Sequence, residues 1–458
     1  MTTLEDASPG TNRDIRPQDD LFGHVNGTWL ETEEIPADRS SWGPFVILSD
    51  AAEQQVREII EACAIGEISG PDATKIGDLY ASFMDQARVE ELGWEPVRPW
   101  LNRIDALEDP TELAGFLGEF ERVGGSGLFG SYVDTDDGNS DRYLLNLVQG
   151  GLGLPDESYY REDKFAEIRV EYLDYLEKLL TLAERPDARA AAEMVLALET
   201  RLAKGHWERA ETRDVIKTYN LTGVEKLRAL LPSFDVDAFI TKLGGGQQTI
   251  AETIVREPSY FSHLGEVLGD TGIADWRAFL SVRAIRSLAA YLSTPFVEAN
   301  FDFYGRTLAG TPELRVRWKR GVSLVEASLG EAVGREYVAR HFPPRSKQMM
   351  DDLVANLIEA YRLSITELDW MGEETKQRAF AKLETFRPKI GYPEKFRDYS
   401  ALSIDKDDLV GNVVAAAAFE TDRQLRKIGS PVDRDEWFML PQTVNAYYNP
   451  GTNEICFP

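Results

Sequence analysis

The sequence predicts a mainly α fold, with one large multi-helix region, a small β-hairpin excursion inside it, and short β-prone pieces after it. Three observations support this prediction. Between residues 51 and 425, apolar residues recur with the period of an amphipathic helix. Residues 128–148 interrupt that pattern with two β-prone runs around a polar turn. From Trp437 onward, short β-prone stretches replace the helical period.

The composition limits the class of protein. The 458 residues are 43% hydrophobic and 28% charged, which is typical of a globular protein with two or three domains, or one large domain and a smaller one. Fifty Lys and Arg against 78 Asp and Glu give a net charge of −28, so the surface repels phosphate backbones and anionic lipid. We therefore expect no nucleic-acid partner and no membrane partner.

The two cysteines, Cys63 and Cys456, are too few for a disulfide framework, which favours a reducing compartment. Residues 1–18 are polar and lack an apolar core, so they match neither a signal peptide nor a membrane anchor. No run of eighteen apolar residues occurs. These features predict a cytoplasmic location and a disordered tail over residues 1–18, and they leave open export without a cleaved signal.

The segments that follow are predicted from their apolar spacing. Residues 19–50 hold scattered aromatic residues without a regular period, which predicts an extended segment lying over another surface. Asp109-Pro110-Thr111-Glu112 is a strong helix start, and Asp72 and Ser346 are candidate N-caps. Helical stripes are predicted at Val56, Ile59, Ile60 and Cys63, at Ile76, Leu79, Tyr80 and Phe83, at Leu113, Phe116, Leu117 and Phe120, at Phe165, Ile168, Tyr172, Tyr175, Leu176 and Leu179, at Met194, Val195, Leu198 and Leu202, at Met350, Leu353, Leu357, Tyr361, Ile365 and Leu368, and at Ala379 and Leu383 before Pro388.

Two hairpins are predicted. The first joins residues 128–133 and 143–148 through the polar turn DTDDGNSD. The second is VNAYYNPGTNEICFP (residues 444–458), in which residues 444–448 are β-prone, 449–453 are rich in turn residues and 455–457 are apolar. An isolated hairpin is marginally stable and an open apolar edge invites wrong pairing, so the second hairpin requires a sheet.

Several short motifs are better explained by structure than by chemistry. GSGLFG (residues 125–130) matches a dinucleotide fingerprint, but it follows a helix and precedes a strand, the reverse of the required order. The acidic turn after residue 133 resembles a calcium loop, but Leu145 stands where a bidentate Glu is needed. Asp433, Asp435 and Glu436 are interpreted as a surface turn, because nothing in the sequence raises the pKa of one of them.

Histidine is scarce: only His24, His206, His263 and His341 occur. None is followed by Glu and no two lie within one helical turn, so no H-E-x-x-H zinc pair is possible in these residues. A metal site assembled from distant positions stays open, but the sequence itself nominates no metal ligand and no catalytic residue.

Asn445 is a candidate for substrate binding. An exposed sheet edge can hold an extended peptide through main-chain hydrogen bonds, and an Asn there adds a donor and an acceptor. The alternative, an Asn that only closes a hairpin, is about equally well supported by the residues alone.

Six motifs carry a family resemblance, and they span nearly the whole chain: DDLFGHVNGTWLETEEIPADRSSWGPF (19–45), LGLPDESYY (152–160), FYGRTLAG (303–310), LDWMGEETKQRA (368–379), IGYPEKFRDYS (390–400) and VNAYYNPGTNEICFP (444–458). In this order they resemble the neprilysin and endothelin-converting-enzyme family of zinc metallopeptidases, in its bacterial form.

The resemblance implies a domain organisation. In that family a large helical domain faces a thermolysin-like α+β catalytic domain across an enclosed cavity that admits oligopeptides. We therefore expect a disordered tail over 1–18, an extended segment packed on the catalytic domain over 19–50, the helical domain over 51–425, and the first strands of the catalytic domain over 426–458. The family's substrate-binding edge strand corresponds here to Asn445, Ala446 and Tyr447.

The resemblance also implies zinc chemistry in a full-length parent. Family members continue past the stretch matching residues 457–458 into an H-E-x-x-H helix, a Glu ligand and a transition-state His. We therefore expect the N-terminal part of a zinc metalloendopeptidase that hydrolyses oligopeptides, with the C-terminal catalytic domain as its missing partner. These 458 residues alone are expected to be inactive and to bind no zinc. The alternative is a non-catalytic helical module that binds peptides or proteins.

One departure from the family concerns recognition of a substrate carboxylate. Animal members carry an Arg immediately before the aromatic-Gly pair of the first motif, where Ser41 stands in this sequence before Trp42-Gly43. Arg39 is the candidate replacement.

Overall fold

The structure is a computed structural model that describes residues 10–458. Its helices are α1 Leu21–Thr32, α2 Pro44–Ala64, α3 Pro71–Met84, α4 Gln86–Leu92, α5 Arg98–Asp105, α6 Leu113–Arg122, α7 Ser158–Arg161, α8 Ala166–Leu182, α9 Ala188–Ala203, α10 Val215–Thr218, α11 Val224–Leu230, α12 Val236–Leu243, α13 Gln247–Ile250, α14 Pro258–Gly269, α15 Ile273–Leu288, α16 Thr294–Phe301, α17 Arg317–His341, α18 Pro344–Glu367, α19 Glu373–Glu384 and α20 Leu409–Leu425. Its strands are β1 Phe129–Asp136, β2 Asn139–Gln149, β3 Leu221–Gly223, β4 Glu252–Val255, β5 Arg387–Ile390, β6 Tyr447–Asn449 and β7 Glu454–Phe457.

The first predicted hairpin is confirmed and belongs to a larger sheet. β1 and β2 pair antiparallel, with Phe129 opposite Gln149 at the open end. β2 also pairs parallel with β4, and β4 pairs antiparallel with β3, which gives the order β1-β2-β4-β3. The sequence did not predict β3 and β4, because both are short and separated from β2 by helices.

The second predicted hairpin is also confirmed, and its sheet lies within the chain. β6 and β7 pair antiparallel, and β7 pairs parallel with β5, in the order β5-β7-β6. The predicted first strand is too long, because it begins at Tyr447 and Val444 lies in a bend. The chain turns there because the preceding Leu440 and Pro441 pack against α17.

Two hydrophobic cores support these sheets. The larger core joins α5, α6, α8, α9, α12, α14 and α15, and its largest fully buried side chain is Trp276. The smaller core joins α2, α3 and α17 with the loop around Tyr399. α20 contacts both cores, through Val410 and Leu425 on one side and Leu409 on the other. A mainly α architecture is thus confirmed.

The expected extended segment over 19–50 is wrong. Residues 21–32 form α1, which Asp20 caps by accepting a hydrogen bond from the Gly23 N–H at 2.8 Å. α2 already begins at Pro44, so within this segment only residues 19–20 and 33–43 lack helix. The helical period is not visible in the sequence because the apolar side chains of α1, such as Phe22 and Leu30, are largely exposed and form no buried stripe.

The predicted disordered tail lies partly outside the described residues, which exclude positions 1–9. Residues 10–18 pack back on α1. The Gly10 carbonyl accepts from the Thr28 N–H at 3.0 Å, and the Asn12 N–H donates to the His24 carbonyl at 2.8 Å. The tail prediction is therefore wrong from residue 10 onward.

One predicted helix start is confirmed and two predicted N-caps are wrong. The Asp109 carboxylate accepts from the Thr111 N–H at 2.8 Å, in a single 3-10 turn that leads into α6. α3 and α18 instead begin at prolines, one and two residues before Asp72 and Ser346. Proline suits the first helical position because it lacks the N–H that would need a cap.

Among residues 10–458, no helix combines the length and the apolar character that a membrane crossing requires.

Candidate functional site

The segment that leads into β6 is fixed on α17. Gln442 Nε2 donates to Glu326 Oε1 at 3.1 Å and to the Gly330 carbonyl at 3.3 Å. A Cβ at Gly330 would lie 2.5 Å from Leu440, and one at Gly334 would lie 2.8 Å from the proline that follows Leu440. These two glycines let the segment lie directly on the helix, which sets the direction in which it reaches residue 445.

The three predicted substrate-binding residues lie together at the start of β6. Asn445 and Ala446 are exposed in the lead-in, and Tyr447 is the first residue of the strand. The Asn445 N–H donates to the Thr443 carbonyl at 3.0 Å, and the Ala446 N–H donates to Asn445 Oδ1 at 2.8 Å. The side-chain oxygen of Asn445 is thus already engaged, and its Nδ2 group is the donor that a ligand can use.

β6 is the edge strand of its sheet in the described part of the chain, since only β7 pairs with it. Tyr447 fixes its position: the hydroxyl lies 3.4 Å from Glu454 Oε1 and 3.4 Å from the Phe438 N–H, and the ring meets Phe438 edge to face at 5.8 Å. Burial raises the pKa of Tyr447 above its usual range, so the hydroxyl stays protonated and positions the strand.

Buried ion pairs lie behind this sheet. Lys389 on β5 and Glu454 on β7 are 2.8 Å apart, with side chains 5% and 0% exposed. Glu436 contacts Arg423 at 2.8 Å and Lys427 at 2.7 Å. Burial alone would raise the pKa of Glu436, but these two cations hold it below its usual value. The interpretation of Glu436 as part of a surface turn is therefore wrong, because its side chain is only 9% exposed.

A cavity of about 300 Å³ adjoins Asn445. We call it the Asn445 cavity; it is lined by Arg39, Ser49, Asp50, Ala52, Glu53, Val56, Arg315, Glu326 and residues 442–445. Arg39 pairs with Asp50, and Arg315 pairs with Glu53. Each arginine keeps a buried Nε without a hydrogen-bond partner among residues 10–458. The cavity is therefore polar, and both of its cations are already matched by carboxylates.

The predicted carboxylate-recognition residue lies in this cavity. Arg39 is half-buried there beside Asn445, whereas Ser41 is exposed and does not line it. No sequence pattern points to Arg315, because it reaches the cavity through the packing of the segment before α17 against α2. Burial raises the pKa of Glu326 in the same wall, although Gln442 hydrogen-bonds its carboxylate.

The histidines have structural partners. His24 Nδ1 lies 2.6 Å from the Ile15 carbonyl, His206 Nε2 lies 2.8 Å from the Gly150 carbonyl, and His263 Nε2 lies 2.8 Å from the Arg201 carbonyl. Burial lowers the pKa of His206 to about 4. His341 lies against Tyr337, 5.1 Å between ring centroids.

These contacts bear on the metal that the family resemblance implies. Within residues 10–458, no three His, Cys, Asp or Glu side chains are grouped so as to hold a metal ion. The side chains that this part of the chain supplies therefore do not fit a zinc site.

Comparison with known proteins places this geometry in a family. Residues 17–393 match Peptidase family M13. The chain is 30% identical to the neutral endopeptidase of Lactobacillus helveticus, covering 99% of this chain and 70% of that protein. It is 27% identical to human neprilysin, covering 96% of this chain and 64% of that protein. The chain thus spans roughly two thirds of the length of these relatives.

Solved structures support the same family assignment and the same fold. The zinc metalloprotease ZMP1 of Mycobacterium tuberculosis, in complex with an inhibitor, is 48% identical and superposes with a TM-score of 0.94 over 98% of this chain and 69% of that one. PepO of Lactobacillus rhamnosis is 25% identical with a TM-score of 0.89 over 97% of this chain and 71% of that one. The neprilysin resemblance and the mainly α fold are confirmed, and the chain belongs to peptidase family M13.

Proposed function

We propose that this chain is the peptide-holding part of a zinc metalloendopeptidase that hydrolyses oligopeptides. Membership of peptidase family M13 supports a role in peptide hydrolysis. The solved relative at 48% identity is named as a zinc metalloprotease, which supports zinc as the metal of the complete enzyme. In such an enzyme the bound zinc lowers the pKa of a water molecule and polarises the peptide carbonyl.

The observation that carries the proposal is the free edge of β6 next to the Asn445 cavity. An extended peptide can add to this edge as another strand, with main-chain hydrogen bonds supplying affinity. Asn445 Nδ2 then donates to a peptide carbonyl, Ala446 allows a close approach, and Tyr447 holds the edge in place. This assignment of three residues follows the family resemblance and is compatible with their exposure and contacts.

Two further parts of the proposal concern the 458 residues by themselves. They are expected to show no hydrolysis and to hold no stoichiometric zinc, since the sequence contains no H-E-x-x-H pair. A cytoplasmic location and a domain boundary near residue 425 also remain proposals, whereas residue 50 lies inside α2. The location is supported by two buried, unpaired cysteines, Cys63 and Cys456.

A non-catalytic peptide-binding or protein-interaction module is the second candidate function. It is favoured by the sheet β5-β7-β6, which has its own buried ion pair, Lys389 with Glu454, and can therefore present β6 to a peptide without any catalytic group. Both functions need the same edge, and only the complete enzyme would also need zinc.

Peptide titration tests the shared step. Fluorescence anisotropy with a labelled eight-residue peptide should show saturable binding, and Asn445→Ala should weaken it about threefold to tenfold, the usual effect of one lost hydrogen bond. Asn102→Ala removes an exposed asparagine from α5 and serves as the matched control. A peptide that is N-methylated at every main-chain amide should not bind, because no N–H remains to pair with the edge.

Three outcomes would contradict the proposal. If Asn445→Ala and Asn102→Ala bind the peptide with equal affinity, Asn445 does not contribute to peptide binding. Unchanged binding of the N-methylated peptide would exclude strand addition. Chelator-sensitive cleavage of the peptide by the purified 458 residues would refute the expected inactivity.

A further inference from the structure

A second polar cavity, of about 790 Å³, lies in the helical body and shares no lining residue with the Asn445 cavity. We call it the Arg286 cavity. Its wall is built from Glu121, residues 125–127 and 129–131 of the glycine-rich turn, residues 149–152 and 154–157, residues 206, 207, 209 and 212, and Arg283 and Arg286 of α15. Its volume is in the range of small-molecule sites. The family motif at residues 152–160 thus contributes to a cavity wall.

Arg283 is neutralised from inside the protein. Its side chain is 1% exposed, and its Nη2 donates to Glu199 Oε1 at 3.0 Å. The other Glu199 oxygen accepts from the hydroxyls of Tyr160 at 2.8 Å and Tyr172 at 2.9 Å. Glu199 is therefore fully engaged as the counter-ion of Arg283. The Nε of Arg283 has no hydrogen-bond partner in the described residues, but it is fully buried, so a ligand in the cavity does not reach it.

Arg286 lies one helical turn further along α15 and has no counter-ion of its own. Its Nη1 donates to the Tyr304 hydroxyl at 3.0 Å, and its Nη2 lies 3.5 Å from Ser126 Oγ. No carboxylate oxygen of residues 10–458 forms an ion pair with it within 4.0 Å. Gly153 makes the approach possible, since a Cβ there would lie 3.0 Å from Arg286 Nη1 and 1.8 Å from the Tyr172 hydroxyl. A guanidinium placed in this way can pair with an anion that enters the cavity.

The acidic groups of the same wall are held by other partners. Glu121 accepts from the Ser131 N–H at 2.8 Å and from its hydroxyl at 2.6 Å. Asp156 accepts from a backbone N–H two residues on at 2.9 Å, and Glu157 pairs with Arg161 at 2.8 Å. Burial raises the pKa of Glu121 to about 7, so this carboxyl is partly protonated at neutral pH and repels an anion less than a full charge would.

The shape of the free donors selects the kind of anion. A planar guanidinium such as that of Arg286 can donate two parallel hydrogen bonds to a carboxylate. Trp207 and Phe129 in the same wall offer apolar surface for a side chain next to that carboxylate. We propose that the Arg286 cavity binds the C-terminal carboxylate of an oligopeptide through the guanidinium of Arg286. The inference rests on the proposed function, because it takes the ligand to be a peptide.

The test compares two forms of one peptide on the wild-type chain. In isothermal titration calorimetry, a peptide with a free C-terminal carboxylate should bind at least about tenfold more tightly than its C-terminal amide, as expected for hydrogen bonds to a charged group. Arg286→Gln should bind both forms with the affinity of the amide. Arg286→Lys should keep part of the preference, and Arg213→Gln, which changes an exposed arginine outside the cavity wall, should keep all of it.

The wild-type comparison does not depend on whether a variant folds. Equal binding of acid and amide would overturn the cavity assignment, and if Asn445→Ala still weakened binding, the proposed function would stand. Absence of binding by either form would refute both. An amidated peptide with an internal Glu that binds as tightly as the free acid would overturn the assignment to the C-terminus. Loss of the preference in millimolar acetate would show a site for any small carboxylate and would overturn the peptide assignment.

Discussion

Replacing Lys389 with Met should open the sheet that carries the proposed peptide edge. The Lys389 ammonium contacts Glu454 at 2.8 Å, and the two side chains are 5% and 0% exposed. It also donates to the Glu436 carbonyl. After the substitution the Glu454 carboxylate keeps only the long contact to Tyr447, 3.4 Å, because its Oε2 has no hydrogen-bond partner among residues 10–458.

The expected magnitude follows from this geometry. Removing one partner of a buried ion pair costs about 3–5 kcal/mol, and one lost hydrogen bond to the Glu436 carbonyl adds about 1 kcal/mol. A total loss of about 4–6 kcal/mol corresponds to a roughly 10³-fold to 10⁴-fold larger population of the opened sheet. The change should be local, since Lys389 and Glu454 join β5 to β7 and lie outside both hydrophobic cores.

Hydrogen exchange measured by mass spectrometry on peptides covering β5 and β7 checks the estimate. Arg387→Gln is the matched control on the same strand, because Arg387 pairs with Asp435 on the surface and such pairs contribute about 0–1 kcal/mol. The double variant Lys389→Met with Glu454→Met should recover most of the protection, since an apolar pair leaves no buried charge. Equal exchange in Lys389→Met and Arg387→Gln would refute the reasoning.

Three further substitutions have expected outcomes. Glu199→Gln leaves its buried arginine partner uncompensated and should cost about 3–5 kcal/mol in urea unfolding, whereas exposed Glu208→Gln should change little. Gly118→Ala places a Cβ 2.1 Å from a backbone carbonyl of α12 and should lower the free energy of unfolding by about 1–3 kcal/mol. Gly115→Ala, whose nearest contact is 3.8 Å, is the control and should be neutral or stabilising. Equal urea unfolding midpoints of the two variants would contradict the packing of α6 on α12. Burial raises the pKa of Glu121 from 4.5 to about 7, so the contribution of this residue to the free energy of unfolding is present below pH 4.5 and is lost as the pH rises through 7. Glu121→Gln should remove that part of the pH dependence. An unchanged profile of unfolding free energy against pH would refute this prediction.

Much of the helical body could be predicted from the sequence because its helices bury one face. α2 and α3 show this well: the residues with helical spacing, such as Ile60 and Leu79, are 0% exposed. α1 could not be predicted for the opposite reason, since Leu21 and Phe22 are more than 60% exposed and give no stripe. Exposure is not the whole reason, because α18 is predicted from its spacing although Leu353, Leu357 and Tyr361 are 48%, 46% and 64% exposed. Periodicity identifies a helix wherever the apolar residues keep a regular spacing, whether or not the stripe is buried.

β5 could not be predicted because its pairing is not local. Pro388 by itself indicates only the end of a helix, yet proline is tolerated on an edge strand, and β5 is the edge opposite β6. Its partner, β7, is more than 60 residues away, so no local pattern links them. The same holds for the sites: Asn445 is identified through the family resemblance, whereas Arg315 and Arg286 line their cavities through contacts between distant segments.

The long separation between β5 and β7 matters during synthesis. At ~5–20 residues per second, β7 is made about 3–13 s after β5, and during that time β5 has no strand to pair with. An unpaired strand can associate with other nascent chains, and a charge in the middle of such a strand disfavours this. Lys389 supplies that charge until Glu454 is synthesised, so we expect the residue that stabilises the finished sheet to disfavour association of the nascent chain as well.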